Sequence, residues 1–155
     1  MNRMIRAVSK RRKRIVIGPE DDGKRMSLDD FEFAEVQEGY LYELGRGVIE
    51  VSNVPRLSHG KQVEAIREQL TVYKIKHPKK ISYLSASNDA KLLIARHESE
   101  RHPDLFVYCS PAPKVSNPWP IWIPDIVIEV VSESSRERDY EIKAEEYLEL
   151  GIGEY

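Results

Sequence analysis

A run of residues that reads as a buried strand and still carries acids constrains this chain most. Residues 124–132 are PDIVIEVVS, within an apolar stretch over 121–131. β-Branched residues dominate the stretch, and apolar side chains fall on both faces, as in a strand enclosed within a sheet. Glu129 stands among Val127, Ile128, Val130 and Val131, and Asp125 opens the same run. A carboxylate in that setting is costly unless it meets a cation or a metal ion. Ser134 and Glu137 follow with the spacing of a capping box, and Gly151 supplies a stop, so a helix to about Leu150 is predicted. Any fold for this chain must therefore bury an acid-bearing strand beside a helix.

The remaining segments supply a sheet for that strand to join. Ser27 and Asp30 resemble a capping box for a helix over 27–37, which Gly39 ends. Residues 40–44 and 48–51 flank Gly45-Arg46-Gly47 and predict a hairpin, with Glu43 on the face opposite Tyr42 and Leu44. Val63, Ile66, Leu70 and Tyr73 recur at helical spacing between Ser58 and Pro78. Residues 81–85, 91–95 and 105–108 read as strands, and 110–120, with four prolines, as a loop. The order implies a mixed α/β domain around one sheet.

The totals narrow the class. With 155 residues, 41% hydrophobic and 32% charged, the chain suits one soluble domain. A net charge of -2 confines any basic surface to a local patch. That patch is expected at the N-terminus, where Lys10, Arg11, Arg12, Lys13 and Arg14 could meet phosphates, in a flexible arm over 1–19 ahead of a domain over 20–155. The single cysteine, Cys109, excludes an intrachain disulfide and fits a cytoplasmic protein; no apolar run is long enough to cross a bilayer. Nucleophilic hydrolase chemistry is disfavoured, because there is no Gly-x-Ser-x-Gly and Cys109 has no evident base.

Geometry then chooses among the acids. Asp125 and Glu129 share a strand face, but four residues of strand span roughly 13 Å, too far for one metal ion. If 105–108 pairs antiparallel with 126–131, Asp104 comes beside Glu129 and Asp125 falls at the far end. Tyr140, Ala144, Tyr147 and Leu148 form an apolar stripe on the last helix, with Lys143 at its edge and Asp139 one turn before. A lysine there can lay its stem on the core and send its ammonium to the sheet. The plainer alternatives are a buried ion pair for Glu129, a strand-entry turn for each Pro-Asp and a surface position for Lys143.

At these residues the chain resembles the restriction-endonuclease-like proteins of the PD-(D/E)XK nuclease superfamily. The resemblance is carried by MSLDDF (26–31), YLYELGRGVIEVS (40–52), the helix start at His59, RHPDLFVY (101–108) and PDIVIEVVSESSRERDYEIKAEEYLELGIGEY (124–155). It implies an αβββαβ core and a metal-dependent endonuclease acting on DNA with Mg²⁺ or Mn²⁺. It also implies Asp104 and Glu129 as metal-holding acids, with Lys143 as the catalytic lysine, since Val131 stands where the superfamily usually places one. Glu43 and His59 match recurrent family positions and, with Asp125, form a second tier. The chain stops where the family continues into another strand, so the last core strand is expected to be missing. The alternative function is a catalytically inactive domain of this fold that binds nucleic acid or protein. Homo-oligomerisation is left open.

Overall fold

A computed structural model describes residues 14–87, 89–131 and 138–155. In chain order the elements are β1 (Val16–Ile17), α1 (Leu28–Glu32), β2 (Glu35–Val36), β3 (Tyr40–Gly45), β4 (Val48–Asn53), α2 (Leu57–Lys76), β5 (Tyr83–Ala86), β6 (Leu92–Ile94), β7 (Ser99–Arg101), β8 (Leu105–Tyr108), β9 (Ile126–Ile128) and α3 (Ala144–Leu150). The strands form three sheets, with orders β1-β2, β4-β3-β7-β6 and β5-β8-β9.

The hairpin follows from its sequence. Gly45 pairs with Val48, so the loop is Arg46-Gly47, one residue shorter than expected. Both loop residues have positive φ, 51° and 73°, as two-residue hairpin turns require. Alternation sends Tyr42 and Leu44 into a core with Ile17, Phe31 and Ile49, and leaves Glu43 facing the other way.

Two expectations near the N-terminus need correcting. Ser27 caps α1 by accepting from the Asp30 amide, but the helix ends at Glu32 rather than near 37. The Glu35 and Gln37 amides instead donate to the carbonyls of Ile15 and Ile17, so the chain extends into β2. Ile17 is buried in the core, so the folded body begins inside the expected 1–19 arm. Arg14 pairs with Glu35 at 2.6 Å, and residues 10–13 lie outside the described residues.

The second core sits under the three-stranded sheet. Phe106, Tyr108, Val127, Trp122, Tyr147 and Ile152 pack there, together with Leu92 and Ile94 from β6. Each such fully buried large side chain is worth about 1.5–3 kcal/mol. β9 is shorter than the predicted 121–131 strand. Residues 121–125 form an irregular lead-in whose Trp122 is buried with its indole N–H on the Ser110 carbonyl. Only Val127 of β9 is fully buried; Ile126 and Ile128 are half-buried. After α3, Gly151 (φ 91°) ends the helix, as expected. Glu154 then forms a parallel bridge with Ile126, where the last core strand was expected to be missing.

The final helix presents a different face from the one read in the sequence. Residues 138–143 form a π-helical turn, whose wider hydrogen-bonding step shifts the phase of all that follows. Tyr140 and Leu148 are exposed, whereas Lys143, Glu146 and Tyr147 are buried. Lys143 is thus central to the buried face, not at its edge. The Ser134–Glu137 cap and the Asp139 side chain lie outside the described residues.

Candidate active site

A three-residue connector assembles the site. β7 ends at Arg101 and β8 begins at Leu105, so His102, Pro103 and Asp104 carry the chain from the four-stranded sheet to the three-stranded one. The His102 amide donates to Glu43 Oε1 at 2.8 Å, which ties the connector to β3. β8 and β9 pair antiparallel, with Leu105 opposite Ile128. One step further along that register sets Asp104 against Glu129. Asp104 Oδ2 accepts from the Val130 amide at 2.7 Å. At the other end, Asp125 Oδ2 accepts from the Cys109 amide at 2.7 Å, so Asp125 serves the strand entry and stays out of the cluster.

Lys143 closes the cluster from the helix side. Its ammonium lies 2.8 Å from Glu129 Oε1 and 3.1 Å from Glu43 Oε2. The Tyr147 hydroxyl, one turn on, donates to Glu129 Oε1 at 2.9 Å. His59, in the first turn of α2, places Nε2 3.2 Å from Asp104 Oδ2. Asp104, Glu129, Lys143, Glu43 and His59 therefore meet at one end of the three-stranded sheet; Asp125 does not.

The electrostatics set the two glutamates apart. Burial pushes the Glu129 carboxyl up to about 7; Glu43 and Asp104 add to the rise, against the pull of Lys143. Burial also opposes ionisation of Glu43, but Lys143, Arg101 and the His102 amide outweigh it and hold that carboxyl down at about 2. Glu43 draws on Arg101 as well as Lys143, so burial leaves Glu129, which shares Lys143, as the carboxyl disposed to keep its proton.

This has a measurable consequence in metal-free protein. A folded pKa raised above its unfolded value stabilises fully at low pH and loses that contribution as pH climbs through the folded value. For Glu129 the window runs from about 4.5 to about 7. His102, also raised, acts in the same direction, and the depressed Glu43 acts only in the acid range below its ordinary value. Urea unfolding in chelator should show stability falling between pH 5 and 8, with a smaller fall in Glu129→Gln. A flat profile contradicts this assignment of charge.

Sequence reasoning missed the layer beneath. Arg101 is fully buried, with Nε 2.8 Å from Glu146 Oε2, Nη1 2.8 Å from Glu50 Oε2, and Glu43 Oε2 at 3.6 Å. Glu146 also accepts from the Ser99 hydroxyl at 3.0 Å. The signal was faint but present: Arg101 directly precedes the connector, and Glu146 lies three residues after Lys143, on the same helix face. Among the described residues, no three carboxylate, imidazole or thiol groups close into a ready coordination sphere.

A family model described as "Putative restriction endonuclease" (Uma2) matches residues 28–155. The chain belongs to this family. The Uma2 match spans every residue of the cluster, from Glu43 to Tyr147, and the mixed α/β architecture is consistent with a restriction-endonuclease-like fold. Uma2 membership points to nuclease function with DNA as the implied substrate. A comparison with curated proteins gave no match. Among the described residues no helix is long and apolar enough to cross a membrane.

Proposed function

We propose that this Uma2 chain is a metal-dependent endonuclease that hydrolyses DNA phosphodiester bonds at the Asp104–Glu129–Lys143 cluster. The observation that carries the reading is the register of β8 and β9, which opposes Asp104 to Glu129 while Lys143 reaches Glu129 from the helix. The donor set fits Mg²⁺ or Mn²⁺: hard carboxylate oxygens, more negative charge than Lys143 offsets, and few protein ligands, as Mg²⁺ prefers when substrate and water complete its shell. Asp104 and Glu129 would hold the ion, which when bound supplies Lewis-acid polarisation of the phosphate and a more acidic water.

The side chains divide the remaining work. Lys143 offsets the charge that gathers on the phosphate oxygens as water attacks phosphorus. Glu43 fixes the Lys143 ammonium, Tyr147 fixes the Glu129 carboxylate, and His59 holds Asp104. The test is cleavage of supercoiled plasmid by purified protein. Nicking or linearisation that needs Mg²⁺ and stops in EDTA supports the proposal; no cleavage over a range of divalent ions and substrates refutes it.

A second reading is a non-catalytic nucleic-acid- or protein-binding domain. It is favoured by Lys143 already being neutralised by two carboxylates, an arrangement that also stands as a buried structural ion pair. DNA binding without metal-dependent cleavage would select it.

A further inference from the structure

The longest helix has no task in the cluster beyond its first turn. α2 runs for 20 residues without a buried residue. Val63, Ile66 and Leu70 are half-buried, as their spacing predicts, as are His59 and Lys74, while its other residues are exposed. Its last two turns and the turn after it, residues 69–80, read QLTVYKIKHPKK. Lys74, Lys76, Lys79 and Lys80 fall in this stretch with no acid, in a chain whose net charge is -2.

Elsewhere in the described structure Lys24, Arg46, Lys91 and Arg101 each meet a carboxylate. None of Lys74, Lys76, Lys79 and Lys80 has a carboxylate partner among the described residues. Lys76, Lys79 and Lys80 are exposed, and Lys74 donates to the Ser82 carbonyl at 3.0 Å. Cations in a last helical turn offset the helix dipole, which accounts for Lys74 and Lys76. It does not account for Lys79 and Lys80, which lie beyond the helix. The exposed Tyr73 ring packs against His77, with centroids 4.4 Å apart. The cleft between the end of α2 and the start of β5 is lined by Arg67, Thr71 and Lys74 and equally by the apolar Ile75, Ile81 and Leu84. Val72 and Ile75 are exposed on the same helix end. The four lysines beside them, without a carboxylate among residues 69–80, have the chemistry of a phosphate-backbone contact.

We propose that the last two turns of α2, continued through Lys79 and Lys80, dock the phosphate backbone of duplex DNA. The partner's identity rests on the nuclease reading; the charge pattern does not. α2 also sets the distance. Its first turn reaches the cluster through His59, and at a rise of about 1.5 Å per residue Lys76 lies about 26 Å further along the axis. For a duplex running along the α2 axis, at about 3.4 Å per base pair, that length corresponds to roughly seven or eight base pairs from the bond to be cut. One end of the helix then touches the reacting centre while the other holds the flank without reading sequence.

The test uses the full chain with Lys74, Lys76, Lys79 and Lys80 all replaced by Gln. Binding to a fluorescent 30-base-pair duplex is followed by anisotropy in EDTA, from 50 to 200 mM NaCl. The slope of log affinity against log salt should become shallower by about 3 to 4, with binding at 50 mM NaCl weaker by about 30-fold or more. The Arg96→Gln/Lys114→Gln variant, a loss of charge elsewhere, should change the slope much less. A circular dichroism melt checks that each variant is folded. Unchanged affinity and slope, an equal loss in the control, or a change confined to self-association in sedimentation would each overturn the proposal. Plasmid cleavage by wild type with Mg²⁺ is scored separately. Intact cleavage with unchanged binding sinks the α2 surface alone, whereas absent cleavage with altered binding sinks only the nuclease reading.

Discussion

Replacing Arg101 with methionine is expected to destabilise the fold by about 3–5 kcal/mol, the usual cost of breaking a buried ion pair from one side. Arg101 is fully buried and serves Glu146 on α3 and Glu50 on β4, with Glu43 on β3 nearby. Removing the guanidinium strands Glu146, itself fully buried, without its main cation. For a domain of this size each kcal/mol moves the melting temperature by about 2–4 °C, so a fall of roughly 10 °C is expected. Lysine should not rescue, because it cannot supply the guanidinium fork that meets Glu146 through Nε and Nη2 together. The double variant Arg101→Met/Glu146→Met should be more stable than the sum of the single losses implies, since no orphan charge remains. Thermal and urea unfolding measure all three. A loss below about 1 kcal/mol for Arg101→Met would mean that this network does not hold α3 against the sheet.

Lys143→Met should lower metal-dependent cleavage by about 10²–10³-fold, the scale for losing one group that offsets transition-state charge. Its effect on stability should depend on pH. With the ammonium gone, Glu43 and Glu129 face each other without the cation they share. Both then resist ionisation, so their folded pKa values rise, and stability falls as pH climbs through them. The variant should therefore lie closer to wild type at pH 5 than at pH 8. Arginine should restore little, because the slot around Lys143 leaves only 3% of the residue exposed. A stability loss equal at both pH values would contradict the account of Lys143 as the shared counter-charge.

What was legible in the sequence was local or followed from one pairing. The hairpin, the stop at Gly151 and the split between Asp125 and Glu129 each needed only turn chemistry or strand spacing. Once β8 and β9 pair antiparallel, Asp104 must face Glu129, and the register bears that out. The face of the last helix was not legible, because a stripe counted at 3.6 residues per turn fails across a π-helical turn. It named Tyr140 and Leu148, both exposed, and passed over Glu146. A search for apolar periodicity discards charged residues by construction, so the buried pair Arg101 and Glu146 escapes it. Those partners come from distant parts of the chain and meet only in the folded state. The short β1–β2 pair was hidden similarly, since two residues on each strand leave no readable alternation.

The most direct measurement sets Glu129→Ala beside Asp125→Asn in one plasmid-cleavage assay with Mg²⁺. Asparagine keeps an acceptor for the Cys109 amide, so the second variant preserves the strand entry while removing its charge. Loss of metal-dependent cleavage in Glu129→Ala, with cleavage near wild type in Asp125→Asn, is the predicted result. Cleavage that survives Glu129→Ala in folded protein, or that disappears in Asp125→Asn, would place the chemistry elsewhere than the Asp104–Glu129–Lys143 end of the sheet.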